Sequence, residues 1–127
     1  MLDAYLDQIR TTIGRYAATT FVVDCNLVVE KRPGNQGFVT GSMVFLDGSQ
    51  LHFSEFLDAA QDAVEKLMYS YHYQDPNQDL IFRYDNARHK PASSARDHKH
   101  APGGLVEAWP PDLVEVLEEI AASQGWL

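Results

Sequence analysis

Residues 83 to 100, RYDNARHKPASSARDHKH, gather side chains that could move protons and hold phosphate. Three of the five histidines, His89, His98 and His100, fall in this window, with Arg83, Arg88, Lys90, Arg96 and Lys99. Half of the ten basic residues therefore lie here, against only Asp85 and Asp97. Imidazole titrates near neutrality, so a pair can take one proton and return another while Arg or Lys holds a phosphate. The same rings could instead bind a divalent metal such as zinc. His98 and His100 are two apart and project to one side of an extended chain, with His89 or Asp85 as a third ligand. Local positive charge opposes a cation, so metal-free acid–base chemistry ranks first and no cofactor is expected. The plain alternative is a solvated loop or a partner contact.

These residues need a frame. Leu2, Tyr5, Leu6, Ile9, Ile13 and Tyr16 recur at helical spacing and predict a helix over 2–17. The period then drops to two. Phe21, Val23, Cys25, Leu27 and Val29 alternate with polar residues, giving a first strand over about 20–31. Further strands are expected at about 37–47, 50–58, 65–74 and 79–86, joined at Asp47-Gly48 and at Asp75-Pro76-Asn77-Gln78. Residues 87–108, with Pro91, Pro102 and Gly103-Gly104, read as a long irregular loop. Pro111, Asp112 and Glu115 open a last helix over 110–122. The expectation is one α+β domain over 1–127: a five-stranded antiparallel curved meander with both helices on one face.

Alternation also assigns faces. Phe82 and Tyr84 point one way, Arg83 and Asp85 the other, and His72 opposes Tyr71 and Tyr73. His72 is thus expected beside Arg83 and Asp85. Glu55, between Phe53 and Leu57, reads as inward-facing, with an edge contact or a salt bridge as its expected role.

The composition narrows the function classes. Eighteen acids against ten Lys and Arg give a net charge of −8, which repels nucleic acid wherever bases are not concentrated. No apolar run reaches the roughly 20 residues that span a bilayer. MLDAYLDQIR places acids before any apolar block, unlike a secretory leader. The lone Cys25 suits a reducing compartment, so a cytoplasmic location without membrane contact is expected.

The strand pair YSYHYQDPNQDLIFRYDNA, the following His motif and HKH resemble the TumE family of small prokaryotic toxin components. FLDGSQLHFSEF and the closing LVEVLEEI match the same pattern, and the resemblance covers about residues 20 to 120. It carries over to Tyr71, His72, Tyr73, Arg83, Tyr84, Asp85, Asn86, His89, His98, Lys99 and His100. Two histidines of the family pattern are replaced. Asn86-Ala87-Arg88-His89-Lys90 stands where the family reads Asn-Ala-Pro-His-His, and Arg96-Asp97-His98-Lys99-His100 where it reads Pro-His-His-Lys-His.

The resemblance implies a toxin with a separately encoded antitoxin, for which a helix-turn-helix protein is the expected type. Combined with the window above, it suggests a metal-independent ribonuclease. Arg83, Asp85, His89, His98 and His100 would be catalytic. Tyr71, His72, Asn86, Arg88 and Lys99 would bind phosphate or substrate RNA. Rival expectations are a non-catalytic antitoxin-binding module and a metal-dependent hydrolase using His89, His98 and His100. A homodimer is compatible with either.

Overall fold

The computed structural model describes residues 1–59, 62–87 and 97–127. Its elements are α1 (Leu2–Ala17), β1 (Val22–Arg32), β2 (Gln36–Phe45), β3 (Gln50–Asp58), β4 (Glu65–Gln74), β5 (Leu80–Asp85), β6 (His98–Ala101), β7 (Gly104–Glu107) and α2 (Leu113–Ser123). The strands form one open sheet in chain order, and every neighbouring pair is antiparallel.

The α+β class and the meander are as the sequence indicates, but the sheet has seven strands instead of five. The two extra strands come from the segment read as irregular loop. Ala101 pairs with Gly104 across Pro102-Gly103, and β6 then returns against β5. Gly104 has φ of 129°, a backbone region closed to most L side chains, so glycine is required where this hairpin turns. HKHA carries no apolar alternation, which is why its strand character is invisible to periodicity.

One face of the sheet takes both helices. The ladders align Val39 with Glu55 and Tyr69, and Met43 with Leu51, Tyr73 and Phe82. These residues are buried in one core cluster with Leu6, Ile9 and Ile13 of α1 and Leu113, Val116, Leu117 and Ile120 of α2. Helix α2 starts at Leu113, later than expected, because Asp112 is its N-cap. The Asp112 carboxylate accepts from the Glu115 N–H, and the Glu115 carboxylate accepts from the Asp112 N–H. Pro111 therefore precedes the helix instead of opening it.

Three irregularities interrupt the ladders, one of them in β4–β5 between Tyr73 and Gln74. Val23 is the extra residue where the β1–β2 register shifts, so it is 62% exposed although the period puts it inside. A second shift falls between Phe56 and Leu57, where Leu57 faces Lys66 and Phe56 faces Met68. Leu67 is skipped, and Lys66 turns to the helix side.

Candidate functional site

The face without helices carries two adjacent cross-strand rows. One runs through Ser42, His52, His72, Arg83 and His100 on β2 to β6. The next runs through Thr40, Ser54, Ser70, Asp85 and His98. All four histidines among the described residues therefore lie on this open face. His98 and His100 do project to one side as their spacing implies, and they meet Asp85 and Arg83 in register.

The geometry centres on Arg83. Its Nε donates to Asp85 Oδ2 at 2.8 Å, and its Nη1 lies 3.4 Å from His72 Nδ1. On the far side, His100 Nε2 is 3.4 Å from Asp85 Oδ1. Asp85 and His98 are buried, 3% and 2% exposed, whereas Arg83, His72 and His100 are only half-buried. The rings of His98 and His100 stand edge to face, 6.4 Å between centroids. Burial pushes the Asp85 carboxyl up, but the Arg83 hydrogen bond and the charges of His100 and Arg83 outweigh it, so the group sits below the usual carboxylate range. For His72, burial and then the Arg83 charge both act against the imidazolium, and its pKa is lowered.

Three of the sequence candidates lie elsewhere. Tyr71 is buried under the helices and Lys99 points the same way, bonding Glu119 of α2 at 2.9 Å over the rings of Phe82 and Tyr84. Alternation puts both on the opposite face from His72 and Arg83, which the expectation of one shared site overlooked. Asn86 acts in the plane of the sheet: its side chain accepts from the Tyr69 N–H and donates to the Leu67 carbonyl, both at 3.0 Å. It holds β4 at the residue its ladder skips. Arg88 and His89 lie outside the described residues.

Under the helices is a second polar cluster that the sequence indicated only through Glu55. This carboxylate is fully buried and makes neither an edge contact nor a direct salt bridge. It accepts from Tyr5 Oη at 2.5 Å and from Tyr71 Oη at 2.6 Å. Lys66 Nζ donates to Tyr71 Oη at 2.7 Å and to the Pro111 carbonyl at 2.5 Å. A cavity of about 420 Å³ adjoins it, lined by Tyr5, Lys66, Tyr69, Asp97 and the turn into α2. Tyr69 Oη donates to Asp97 at 2.6 Å. No local signal marks Lys66 or Asp97, because a bulge and a tertiary contact respectively bring them in.

A comparison against protein families bears on the whole chain. The model for the family described as Toxin TumE matches residues 11–124. The chain belongs to the TumE toxin family. Membership makes it a toxin component of a toxin–antitoxin system and implies a cognate antitoxin. Neither a curated protein nor a solved structure matches the chain. The stretch matched as TumE takes in the open-face cluster and all of the buried one except Tyr5. Among the described residues of this TumE-family chain, no group of three or more His, Cys, Asp or Glu is placed to hold a metal ion. No helix among them is long and apolar enough to cross a membrane.

Proposed function

We propose that this TumE-family toxin cleaves RNA without a metal, using the open-face row centred on Arg83. One observation carries the reading: His72, Arg83 and His100 occupy matching positions on three successive strands. Neighbouring strands lie about 4.8 Å apart, so the two imidazoles are anchored roughly 10 Å apart with the guanidinium between them. An in-line displacement at phosphorus needs its base and its acid on opposite sides of the phosphate, and this spacing supplies that.

The guanidinium of Arg83 holds the phosphate, with Asp85 fixing its direction. His72, whose imidazolium form is disfavoured by burial and by Arg83, takes the proton from the ribose 2′-hydroxyl as that oxygen attacks phosphorus. The bond from phosphorus to the 5′-oxygen breaks, and His100 gives that oxygen a proton. The products are a 2′,3′-cyclic phosphate and a free 5′-hydroxyl. His98 lies behind Asp85 as a positioning residue, and His89 joins the proton exchange on sequence grounds.

The test is incubation of purified protein with RNA in excess chelator, followed by analysis of chain ends. Cyclic phosphate termini are expected, DNA of the same sequence stays whole, and Arg83→Ala or His100→Ala lowers kcat/KM by on the order of 10²–10⁴. RNA that stays intact at the dose arresting growth removes the proposal.

A further inference from the structure

The open face holds more than the Arg83 row. Phe38 on β2 and Phe56 on β3 stand opposite each other in the ladder, with ring centroids 6.4 Å apart at 61°. Neither belongs to the core cluster or packs against it, although each is large enough to anchor one. Instead the guanidinium of Arg32 lies over both, 5.3 Å from the Phe38 ring and 5.8 Å from that of Phe56. Two aromatic rings left half-exposed on a helix-free sheet face, with a guanidinium across them, form a surface on which unpaired bases stack.

Position links this surface to the Arg83 row. Phe56 aligns with Met68 on β4, four residues before His72, and Arg83 is one strand further. At about 3.3 Å per residue and 4.8 Å per strand, Phe56 and Arg83 are roughly 16 Å apart, a span that a few nucleotides of single strand cover. Between them lie Thr40, Ser42, Ser54, Ser70 and His52, all able to meet sugar or phosphate oxygens. On β2 to β5 the only carboxylate in this middle ground is Asp85, which is buried against Arg83. The chain as a whole is strongly acidic, and the exposed Glu30, opposite Phe38 in the ladder and 3.3 Å from Arg32, bounds this face at its outer edge. It is therefore the stretch from Phe56 to Arg83, free of exposed carboxylates, that is suited to a polyanion.

We infer that the open face is a single-stranded RNA track, with Phe38 and Phe56 stacking bases a few nucleotides from the phosphate at Arg83. The inference rests on the proposed cleavage for its direction, and it names the substrate class as unpaired RNA. A duplex keeps its bases stacked inside and has none to offer these rings.

Binding is measured by fluorescence anisotropy with a labelled 2′-O-methyl RNA single strand, which cannot be cleaved by attack of its own 2′-oxygen, and with the same sequence as a duplex. The single strand should bind more tightly than the duplex. Phe56→Ala and Phe38→Ala should each weaken it about tenfold, in line with the loss of one stacked base, while Phe56→Trp retains it. Circular dichroism identifies any variant that fails to fold, and Phe56→Leu, which keeps apolar bulk but no ring, then takes its place with the same expected loss. Equal binding by wild type and ring-deleted variants, or preference for the duplex, overturns the inference. So does sedimentation showing that these substitutions split a dimer, since a second copy would then cover the face. Ring-dependent binding together with an unmodified strand left uncut keeps the track and removes the cleavage.

Discussion

Tyr71 Oη donates to Glu55 Oε2 at 2.6 Å, a contact sealed from solvent between the sheet and the helices. With Tyr5 on the other carboxylate oxygen and Lys66 bonded to the Tyr71 hydroxyl, the buried charge is bonded on both oxygens and faced by an ammonium one hydroxyl away. Desolvation and the Glu55 charge push both phenols far above their ordinary value, so they act as donors at every physiological pH. Through Tyr5 the network also ties α1 to β3 and β4 across 50 positions.

Removing the carboxylate leaves the Tyr5 and Tyr71 hydroxyls without their acceptor and the Lys66 ammonium without the charge it faces. Glu55→Ala should therefore cost about 3–5 kcal/mol in urea unfolding. Tyr5→Phe, which takes one bond from a charged acceptor, should cost about 1–3 kcal/mol. A loss under about 1 kcal/mol for Glu55→Ala would show that the network adds little beyond packing.

Asp85 makes stability depend on pH in the acid range. Its folded pKa lies below the ordinary carboxylate value of about 3.9, so its contribution is complete above that value. It is lost as pH falls through the folded pKa, because the unfolded chain then binds the proton more readily. Asp85→Asn should be less stable than wild type at pH 7, and the gap should narrow as pH falls below the ordinary carboxylate value, read from urea midpoints. A gap that is constant with pH would mean that Asp85 carries no linked proton.

His72 works in the opposite chemical sense with the same sign. Its folded pKa is depressed, so the unfolded chain binds protons more readily, and its contribution to stability falls as pH drops below about 6.5. In a carbon-detected NMR titration His72 should titrate below that value. Arg83→Ala should move it upward, since the guanidinium charge is the second cause of the shift after burial. No movement in that variant would leave burial as the whole explanation.

Gly41 stands opposite Phe53 on the core face, where a methyl group would fall 2.4 Å from the ring carbon Cζ and 3.1 Å from the Asn26 carbonyl. The ring is itself buried and has little room to retreat. Gly41→Ala should cost about 1–3 kcal/mol by overpacking. Combining it with Phe53→Leu should cost less than the two single changes added together, which thermal melts can measure.

The sequence by itself determined the local periods and hence the faces. Alternation within LIFRYD sets Arg83 and Asp85 against Phe82 and Tyr84, and alternation within YSYHY sets His72 against the tyrosines. It also places the Asp47-Gly48 and Asp75–Gln78 turns, because each of these depends on residues within a few positions of one another. The same rule already implied that Tyr71 and Lys99 belong to the helix side, although their motif suggested a site shared with His72.

Only the tertiary structure decided which residues meet. His100 comes opposite Arg83 because β6 joins the ladder of β5, a pairing set by backbone hydrogen bonds between segments well apart in the chain. Tyr5 reaches Glu55 across 50 positions, and one skipped residue at Leu67 turns Lys66 inward. Side-chain alternation is a property of a single strand, whereas register, bulges and helix docking are fixed by what the assembled layers can bury and bond. That is why the composition of the site and the face of each residue could be anticipated from the sequence, and which residues meet across the strands could not.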